Sequence, residues 1–412
     1  MPTRRVLSVG SLREFIDVEV AGGLVLLAGA VLALVWANLG EPGQYEGLWR
    51  SHLRLGAGPV ALDLELRHWI NDLLMALFFF VVGLEIKREL VDGELRGARR
   101  AALPAIAALG GMVAPALIYL ALNPAGAAAS GWGIPMATDI AFAVGVLALF
   151  GKRIPLGLKV FLLSLAIVDD IGAIAVIAVF YSANIGLLPL VLSAASVAAF
   201  AASWRVSSTL RRPLLPVLAA AAWVALYASG VHPTIAGVAL GLCVPAGTDP
   251  DPSPAERLGH SLHPWTSFGI VPVFALANAG VALPAGGLAA ALGHPVAAGA
   301  VAGLLIGKLL GISLASYLAV RTGLAVLPSG VGWGSIVGVA ALGGIGFTVS
   351  LFITELAFTE RALADAAKVG VLAGSTLAAA LGCLLLMVIL ARTNGDGSWP
   401  DTTVGEGAHD GP

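Results

Sequence analysis

Long apolar runs recur along the chain and set the class of fold. The run from Val160 to Tyr181 is almost entirely aliphatic and aromatic apart from two aspartates, and it is long enough to cross a bilayer as a helix. Of the 412 residues, 58% are hydrophobic and only 12% are charged, whereas soluble domains carry about 25% charged residues. The sequence therefore predicts an all-α polytopic membrane protein. The net charge of −2 excludes nucleic-acid binding through a large basic surface.

Charged or Gly/Pro-rich breaks divide the apolar sequence into about twelve predicted transmembrane helices. Their approximate cores are 17–38, 70–90, 101–122, 132–150, 157–181, 187–204, 213–229, 231–245, 264–283, 296–319, 333–356 and 364–391. Lys and Arg concentrate in the connections that follow even-numbered spans, and these residues favour the cytoplasmic side. Both termini are therefore predicted to be cytoplasmic. We assign 1–392 to one transmembrane domain and expect the polar, acidic segment 393–412 to be a disordered tail.

The first connection has a different pattern. Leu48–Leu55 and Val60–Trp69 alternate apolar and polar residues on either side of a Gly-Ala-Gly-Pro sequence. This pattern predicts a β-hairpin within 45–69, outside the membrane on the periplasmic side. An irregular loop is the alternative. An exposed hairpin edge would favour pairing with a second copy, so a homodimer is expected.

Four charged residues lie deep in the predicted spans: Asp139, Asp169, Asp170 and Lys308. Each costs about 2.5–3.5 kcal/mol on insertion scales, so each needs a partner or a function. Asp169 and Asp170 are adjacent, and neighbouring helical residues point about 100° apart, so they do not simply satisfy each other. Three carboxylates against one ammonium favour a site for a cation or proton, with Lys308 pairing one carboxylate. Snorkelling of Lys308 to an interface is the alternative.

Two spans contain residues that disfavour a continuous helix. Gly131, Gly133 and Pro135 precede Asp139 in the fourth span, and GGIG at 343–346 divides the eleventh. Broken helices expose dipole ends, which Asp139 and Lys308 could offset. These glycines could instead serve only close packing. The breaks lie at matching positions of spans 3–5 and 10–12, and an offset of seven spans gives the two triplets opposite orientation. We therefore predict inverted repeats with interrupted helices 4 and 11.

Several motifs, in order along nearly the whole chain, carry a family resemblance. They include FFFVVGLEIKREL, ATDIAFAVGVLALFG, LAIVDDIGAIAVIA, SGVHPTIAGV and GIGFTVSLFI. Together they resemble the NhaA-type sodium/proton antiporter family, which is one example of inverted repeats with broken helices. The resemblance implies electrogenic exchange of cytoplasmic Na⁺ or Li⁺ for external protons. It also implies a bacterial inner-membrane location, control of cellular pH and sodium, no cofactor and no enzymatic activity.

The resemblance also suggests roles for the charged residues. Asp170 would be the main cation ligand and proton carrier, and Asp169 would bind Lys308 in one state and release it in another. Asp139 and Thr138 would support the cation site and balance helix-end charge. The implied Na⁺ ligands are Asp170, Asp169 and Thr138, because Na⁺ is a hard cation that suits oxygen ligands. Protons and Na⁺ would compete for these groups.

A second set of residues resembles the family's pH-sensing region. It comprises Glu85, Arg88 and Glu89 at the end of the second span, together with His232 in SGVH. The alternatives are a solvated ion-pair cluster for the first three and a structural role for the histidine. The chain departs from the family pattern at Gly259, where a glutamate commonly precedes the histidine, which leaves the pH set-point open.

A sodium-coupled symporter of a small organic substrate is the main alternative function. It would need a substrate pocket with a richer aromatic and polar lining than an aromatic content of 7% suggests.

Overall fold

The computed structural model describes residues 9–41, 43–55, 62–182, 184–247, 251–283 and 286–395. Helical segments occupy all twelve predicted positions. They are Val9–Leu39, Leu66–Val91, Ala98–Leu122, Ala127–Ala148, Leu156–Phe180, Leu187–Ser203, Ser208–Ala228, Thr234–Cys243, Pro254–Trp265 continued by Thr266–Ile270 and Val271–Asn278, Pro295–Arg321, Trp333–Leu342 with Phe347–Ala357, and Arg361–Gly395. We refer to them as the first to twelfth spans.

The multi-pass architecture is confirmed. Among the described residues, eight helices are long and apolar enough to cross a membrane, and the bent pair of the eleventh span makes a ninth. The sixth and eighth spans, Leu187–Ser203 and Thr234–Cys243, are shorter apolar helices. The ninth begins with the polar helix Pro254–Trp265. Ser253 and Glu256 cap its N-terminus in a capping box. The predicted tail lies outside the described residues from 396 onward, and the twelfth helix continues to Gly395.

The hairpin prediction is confirmed for two short strands and wrong at its outer ends. The strands β1 (His52–Leu55) and β2 (Leu62–Glu65) pair antiparallel. The segment Gln44–Trp49 is a helix instead, and Leu66 already begins the second span. Tyr45 and Trp49, four residues apart, share one buried helix face and pack edge to face, which the alternating pattern did not reveal.

Close backbone packing sets the third span against the tenth. A Cβ at Gly110 would collide with the carbonyl oxygen of Gly311, and one at Gly111 would lie 2.7 Å from Ile312 Cγ1. The same added atom would lie 3.7 Å from Cδ of Lys308. Small residues thus allow the helices to approach, as is common in membranes. This close approach places the side chain of Lys308 against Gly111 of the third span.

Glu46 is the centre of a charge cluster that joins the short helix to two spans. Its carboxylate accepts two hydrogen bonds from the guanidinium of Arg67, at 3.0 and 3.2 Å, and lies 2.7 Å from Nη2 of Arg361. Arg67 belongs to the second span and Arg361 to the twelfth. Burial opposes ionisation of Glu46. The hydrogen bonds and charge of Arg67, with the charge of Arg361, outweigh burial and hold the pKa of Glu46 below its ordinary 4.5.

We expect Glu46→Gln to lower the thermal stability of the detergent-solubilised protein at neutral pH, by about 1–3 kcal/mol. A lowered folded-state pKa means that the stabilisation is fully present above pH 4.5 and is lost as the pH falls through the lower, folded value. Melting curves from pH 7 to pH 3 measure this difference, which should shrink in acid. Glu41→Gln, an exposed glutamate nearby, is the control. A pH-independent difference between Glu46→Gln and the native chain would contradict the assignment.

Candidate ion-exchange site

The two interrupted spans meet at their breaks. The fourth consists of the 3₁₀ helix Ala127–Met136, an extended stretch at 137–139 and the helix Ile140–Ala148. The eleventh bends by 47° between Trp333–Leu342 and Phe347–Ala357. The backbone N–H of Asp139 donates to the carbonyl of Ile345 at 2.6 Å. The backbone of each break therefore finds a partner in the other.

Gly346 permits this close crossing. A Cβ there would lie 3.0 Å from the carbonyl oxygen of Ala137 and 2.8 Å from Cδ2 of Leu304. The two interpretations of the glycine cluster are thus compatible, since the same residues interrupt the helix and allow tight packing. The break lies inside the protein, where irregular backbone is tolerated at membrane depth.

Asp139 caps two half-helices at once. Its Oδ1 accepts a hydrogen bond from the backbone N–H of Phe142 at 3.1 Å, in the half-helix that begins at Ile140. Its Oδ2 accepts from the backbone N–H of Thr348 at 3.1 Å and from the Thr348 hydroxyl at 2.6 Å. A carboxylate is stabilised at a helix N-terminus, and Asp139 meets two such termini. This explains how a buried aspartate is accommodated at the crossing.

Lys308 is completely buried and does not snorkel to an interface. Its ammonium donates to Oδ2 of Asp169 and, at 3.0 Å, to the hydroxyl oxygen of Thr138. The Thr138 hydroxyl in turn donates to the carbonyl of Gly343 at 2.8 Å. This carbonyl lies at the end of Trp333–Leu342, where the helix dipole is negative. Lys308 therefore binds one aspartate directly and reaches a helix C-terminus through Thr138.

The carboxylate of Asp170 is buried beside this network. Its side chain is 3% exposed, and its Oδ1 has no hydrogen-bond partner among the described residues. Oδ1 of Asp169 is likewise without one in the described part of the chain. The charges of Asp169, Glu85 and Asp139 all act on Asp170. Two carboxylate oxygens thus remain able to accept a proton or a cation within one polar cluster.

A π-helical turn, Gly303–Gly307, immediately precedes Lys308. Such turns insert an extra residue into the helical repeat and frequently occur at functional sites. The turn changes the direction in which the following side chains project. Local sequence gave no sign of it.

The expectation of only four charged residues in the spans was incomplete. Asp72, in the π-helical turn Ile70–Leu74, is 7% exposed, and its Oδ1 lies 3.5 Å from Nε2 of His232. His232 Nδ1 contacts the hydroxyl of Thr234 at 2.7 Å. Lys368 is also buried and lies 2.5 Å from a carboxylate oxygen of Glu355. Asp72 stands at the predicted start of the second span, so its depth was not recognised.

The residues proposed for pH sensing fall into two places. Glu89 is buried, accepts the backbone N–H of Glu94 at 3.1 Å and lies 4.0 Å from Arg88. His232 is beside Asp72, near the other end of the same span. At 1.5 Å per residue, Asp72 and Glu89 are about 25 Å apart along the helix. Glu85 lies between these ends, and its charge reaches Asp170.

The site presents oxygen atoms of the kind that bind a hard cation. Within the described ranges, no three His, Cys, Asp or Glu side chains are grouped to hold a metal ion. The site instead offers carboxylate and hydroxyl oxygens around a lysine, with peptide carbonyls close by. Na⁺ takes such oxygen ligands.

Comparison with known proteins identifies the family of this chain. The sequence profile of the family described as Na⁺/H⁺ antiporter 1 matches residues 13–386. The chain belongs to the Na⁺/H⁺ antiporter 1 family. A relative named Na⁺/H⁺ antiporter NhaA, from Shewanella frigidimarina, is 47% identical over 388 residues, covering 93% of this chain and 98% of the relative.

Other members of the antiporter family are similarly close. The Na⁺/H⁺ antiporter NhaA of Shewanella loihica is 46% identical over 383 residues, covering 92% of this chain and 97% of its own. The Na⁺/H⁺ antiporter NhaA 3 of Frankia alni is 44% identical over 415 residues, covering 93% of this chain and 89% of the relative. The resemblance noted in the motifs is thereby confirmed, and membership of an antiporter family favours exchange over the symport alternative.

Proposed function

We propose that this chain exchanges cytoplasmic Na⁺ or Li⁺ for external protons at the Asp169/Asp170 site. The observation that carries the proposal is a pair of buried carboxylate oxygens beside Lys308, at the crossing of two interrupted spans, that have no hydrogen-bond partner among the described residues. Family membership supports the identity of the ions. Asp170 serves as the main ligand and proton carrier, with Asp169 and Thr138 as further Na⁺ ligands.

Competition between the two ions for one site couples their movements. Burial disfavours a charged carboxylate, so an empty site takes up protons, whereas Na⁺ favours the ionised form. Na⁺ entering from the cytoplasm displaces a proton, and Lys308 holds or releases Asp169 according to whether the cation is bound. Alternating access follows if only a neutralised or occupied site changes its exposure from one side of the membrane to the other.

The charge count at the site supports unequal ion numbers. Asp139, Asp169 and Asp170 carry three negative charges and Lys308 one positive charge, so the ionised cluster has a formal charge of −2. Two protons cancel this charge, whereas one Na⁺ cancels half of it. Exchange of more protons than sodium ions is electrogenic, which would let the potential across a bacterial inner membrane drive Na⁺ out. The chain would then regulate cellular sodium and pH, with both termini in the cytoplasm.

Proteoliposomes containing a trapped pH dye test the exchange. A Na⁺ pulse should move protons in the opposite direction, and clamping the potential with K⁺ and valinomycin should change the rate if the exchange is electrogenic. Failure of Na⁺ to move protons would defeat the proposal. Exchange insensitive to the clamp would defeat only its electrogenic part. Repeating the pulse with Li⁺ tests the second cation.

Control by pH rests on the two separated clusters. We infer that Glu85, Arg88 and Glu89 respond to cytoplasmic pH, because the charge of Glu85 acts on Asp170. We infer that His232 responds through Asp72, its neighbour at 3.5 Å. The pH profile of exchange in Glu85→Gln and Asp72→Asn separates the two contributions. A profile unchanged in both variants would contradict control by these groups.

A homodimer joined through the hairpin is a further part of the proposal. Strand β1 is exposed along its whole length, from His52 to Leu55, and an exposed edge can pair with a second copy. Light scattering of the detergent-solubilised protein, with and without residues 52–65 replaced by a short glycine linker, measures the association. Identical masses for the two forms would contradict it.

A further inference from the structure

Ser375, on the twelfth span, contacts the interrupted part of the eleventh. Its Oγ accepts hydrogen bonds from the backbone N–H groups of Gly346 and Phe347, both at 3.2 Å. The serine is 5% exposed. One hydroxyl oxygen therefore satisfies two consecutive backbone donors inside the protein.

These two donors begin the half-helix Phe347–Ala357. The first four N–H groups of a helix have no partner within it, and leaving one buried and unpaired costs stability. The next donor along, the N–H of Thr348, binds Oδ2 of Asp139. The backbone donors at the start of the half-helix are thus bound partly by a serine of the twelfth span and partly by a carboxylate of the ion-exchange site.

Asp139 is already fully engaged. Its Oδ1 accepts from Phe142, and its Oδ2 accepts both the backbone N–H and the hydroxyl of Thr348. Without Ser375, the donors of Gly346 and Phe347 would have to compete for this carboxylate or remain unpaired. The same backbone segment carries the Ile345 carbonyl that binds the N–H of Asp139.

We propose that Ser375 is a positioning residue for ion exchange. By fixing residues 346 and 347, it holds the break in the eleventh span so that Asp139 can cap both half-helices. The Gly343 carbonyl, three residues earlier, then remains in place for Thr138, which binds Lys308. Ser375 thus acts through Asp139 and Thr138 rather than by touching the ion. The proposal rests on the proposed exchange function.

The test compares Ser375→Ala with Ser375→Thr, which keeps a hydroxyl oxygen. We expect Ser375→Ala to raise the apparent KM for Na⁺ by about threefold to tenfold and to shift the pH profile of exchange, with a smaller change in maximal rate. Ser375→Thr should restore values close to those of the native chain. Thr376→Val is the matched control, because the adjacent Thr376 hydroxyl is exposed and donates to Leu372 of its own helix.

Ser375→Cys and a binding measurement keep the result decisive if Ser375→Ala does not fold. A thiol has the shape of the hydroxyl, although it is somewhat larger, and it accepts hydrogen bonds only weakly, so Ser375→Cys should also raise the apparent KM. The Na⁺-induced rise in melting temperature of the purified protein should shrink in parallel. If the variants melt earlier but keep the native KM, pH profile and Na⁺-induced shift, the serine is only structural and the proposal is overturned. Absence of exchange in the native chain would instead defeat the underlying function.

Discussion

Replacing Asp170 by asparagine is expected to reduce Na⁺-driven proton movement to the level of protein-free liposomes. The substitution keeps the size of the side chain but removes the charge that binds Na⁺ and the group that carries the proton. Asp170 is the appropriate target because Asp139 is occupied in capping two half-helices, and Asp169 is bound by Lys308. The dye assay with a Na⁺ pulse measures the effect directly.

Loss of folding must be separated from loss of exchange in this experiment. Asp63→Asn, at an exposed position of strand β2, is the control that neutralises a carboxylate outside the spans and should leave the exchange rate unchanged. The Asp170→Asn protein should still elute as the native form does and melt at least as late, because a buried charge has been removed. Exchange that continues at the native rate in a folded Asp170→Asn protein would refute the assignment.

Lys308→Ala is expected to destabilise the protein by about 3–5 kcal/mol, the typical cost of removing one partner of a buried ion pair. The loss strands the carboxylate of Asp169 and leaves the Thr138 hydroxyl oxygen without its donor. Destabilisation should be largest at high pH and should diminish in acid, where protonation neutralises Asp169. Melting curves in detergent across the pH range measure it.

A second substitution makes the Lys308 result specific. Asp169→Asn added to Lys308→Ala should recover part of the stability, because it removes the stranded charge, whereas Na⁺ exchange should stay impaired. Arg321→Ala, an exposed cation at the end of the same span, should change neither property. Equal stability losses in the single and double variants would show that the Asp169–Lys308 pair is not the source of the effect.

The sequence predicted those features that depend on local composition. Apolar runs located the spans, and the residues Gly343, Gly344 and Gly346 located a break, because both signals are contained in a few neighbouring residues. Unusual charges identified Asp169, Asp170 and Lys308, since the cost of burying charge is independent of the detailed fold. These inferences needed no knowledge of which spans touch.

The features that escaped prediction depend on contacts between distant parts of the chain. The role of Ser375 depends on its contact with backbone donors of the eleventh span, which is distant in sequence. The burial of Asp72 likewise depends on its contact with His232. Tyr45 precedes the stretch that was predicted to alternate and Trp49 lies within it, but the backbone there is helical and buries both side chains on one face. Sequence pattern carries little information about any of these pairings.

Proton release on Na⁺ binding is the measurement that tests the central claim most directly. Calorimetric titration of Na⁺ into the purified protein, in buffers of different ionisation enthalpy, gives the number of protons released for each Na⁺ bound. Competition at Asp169/Asp170 predicts that binding releases protons, that affinity for Na⁺ falls as the pH falls, and that Asp170→Asn abolishes the release. Na⁺ binding that releases no proton and keeps the same affinity across the pH range would contradict the account.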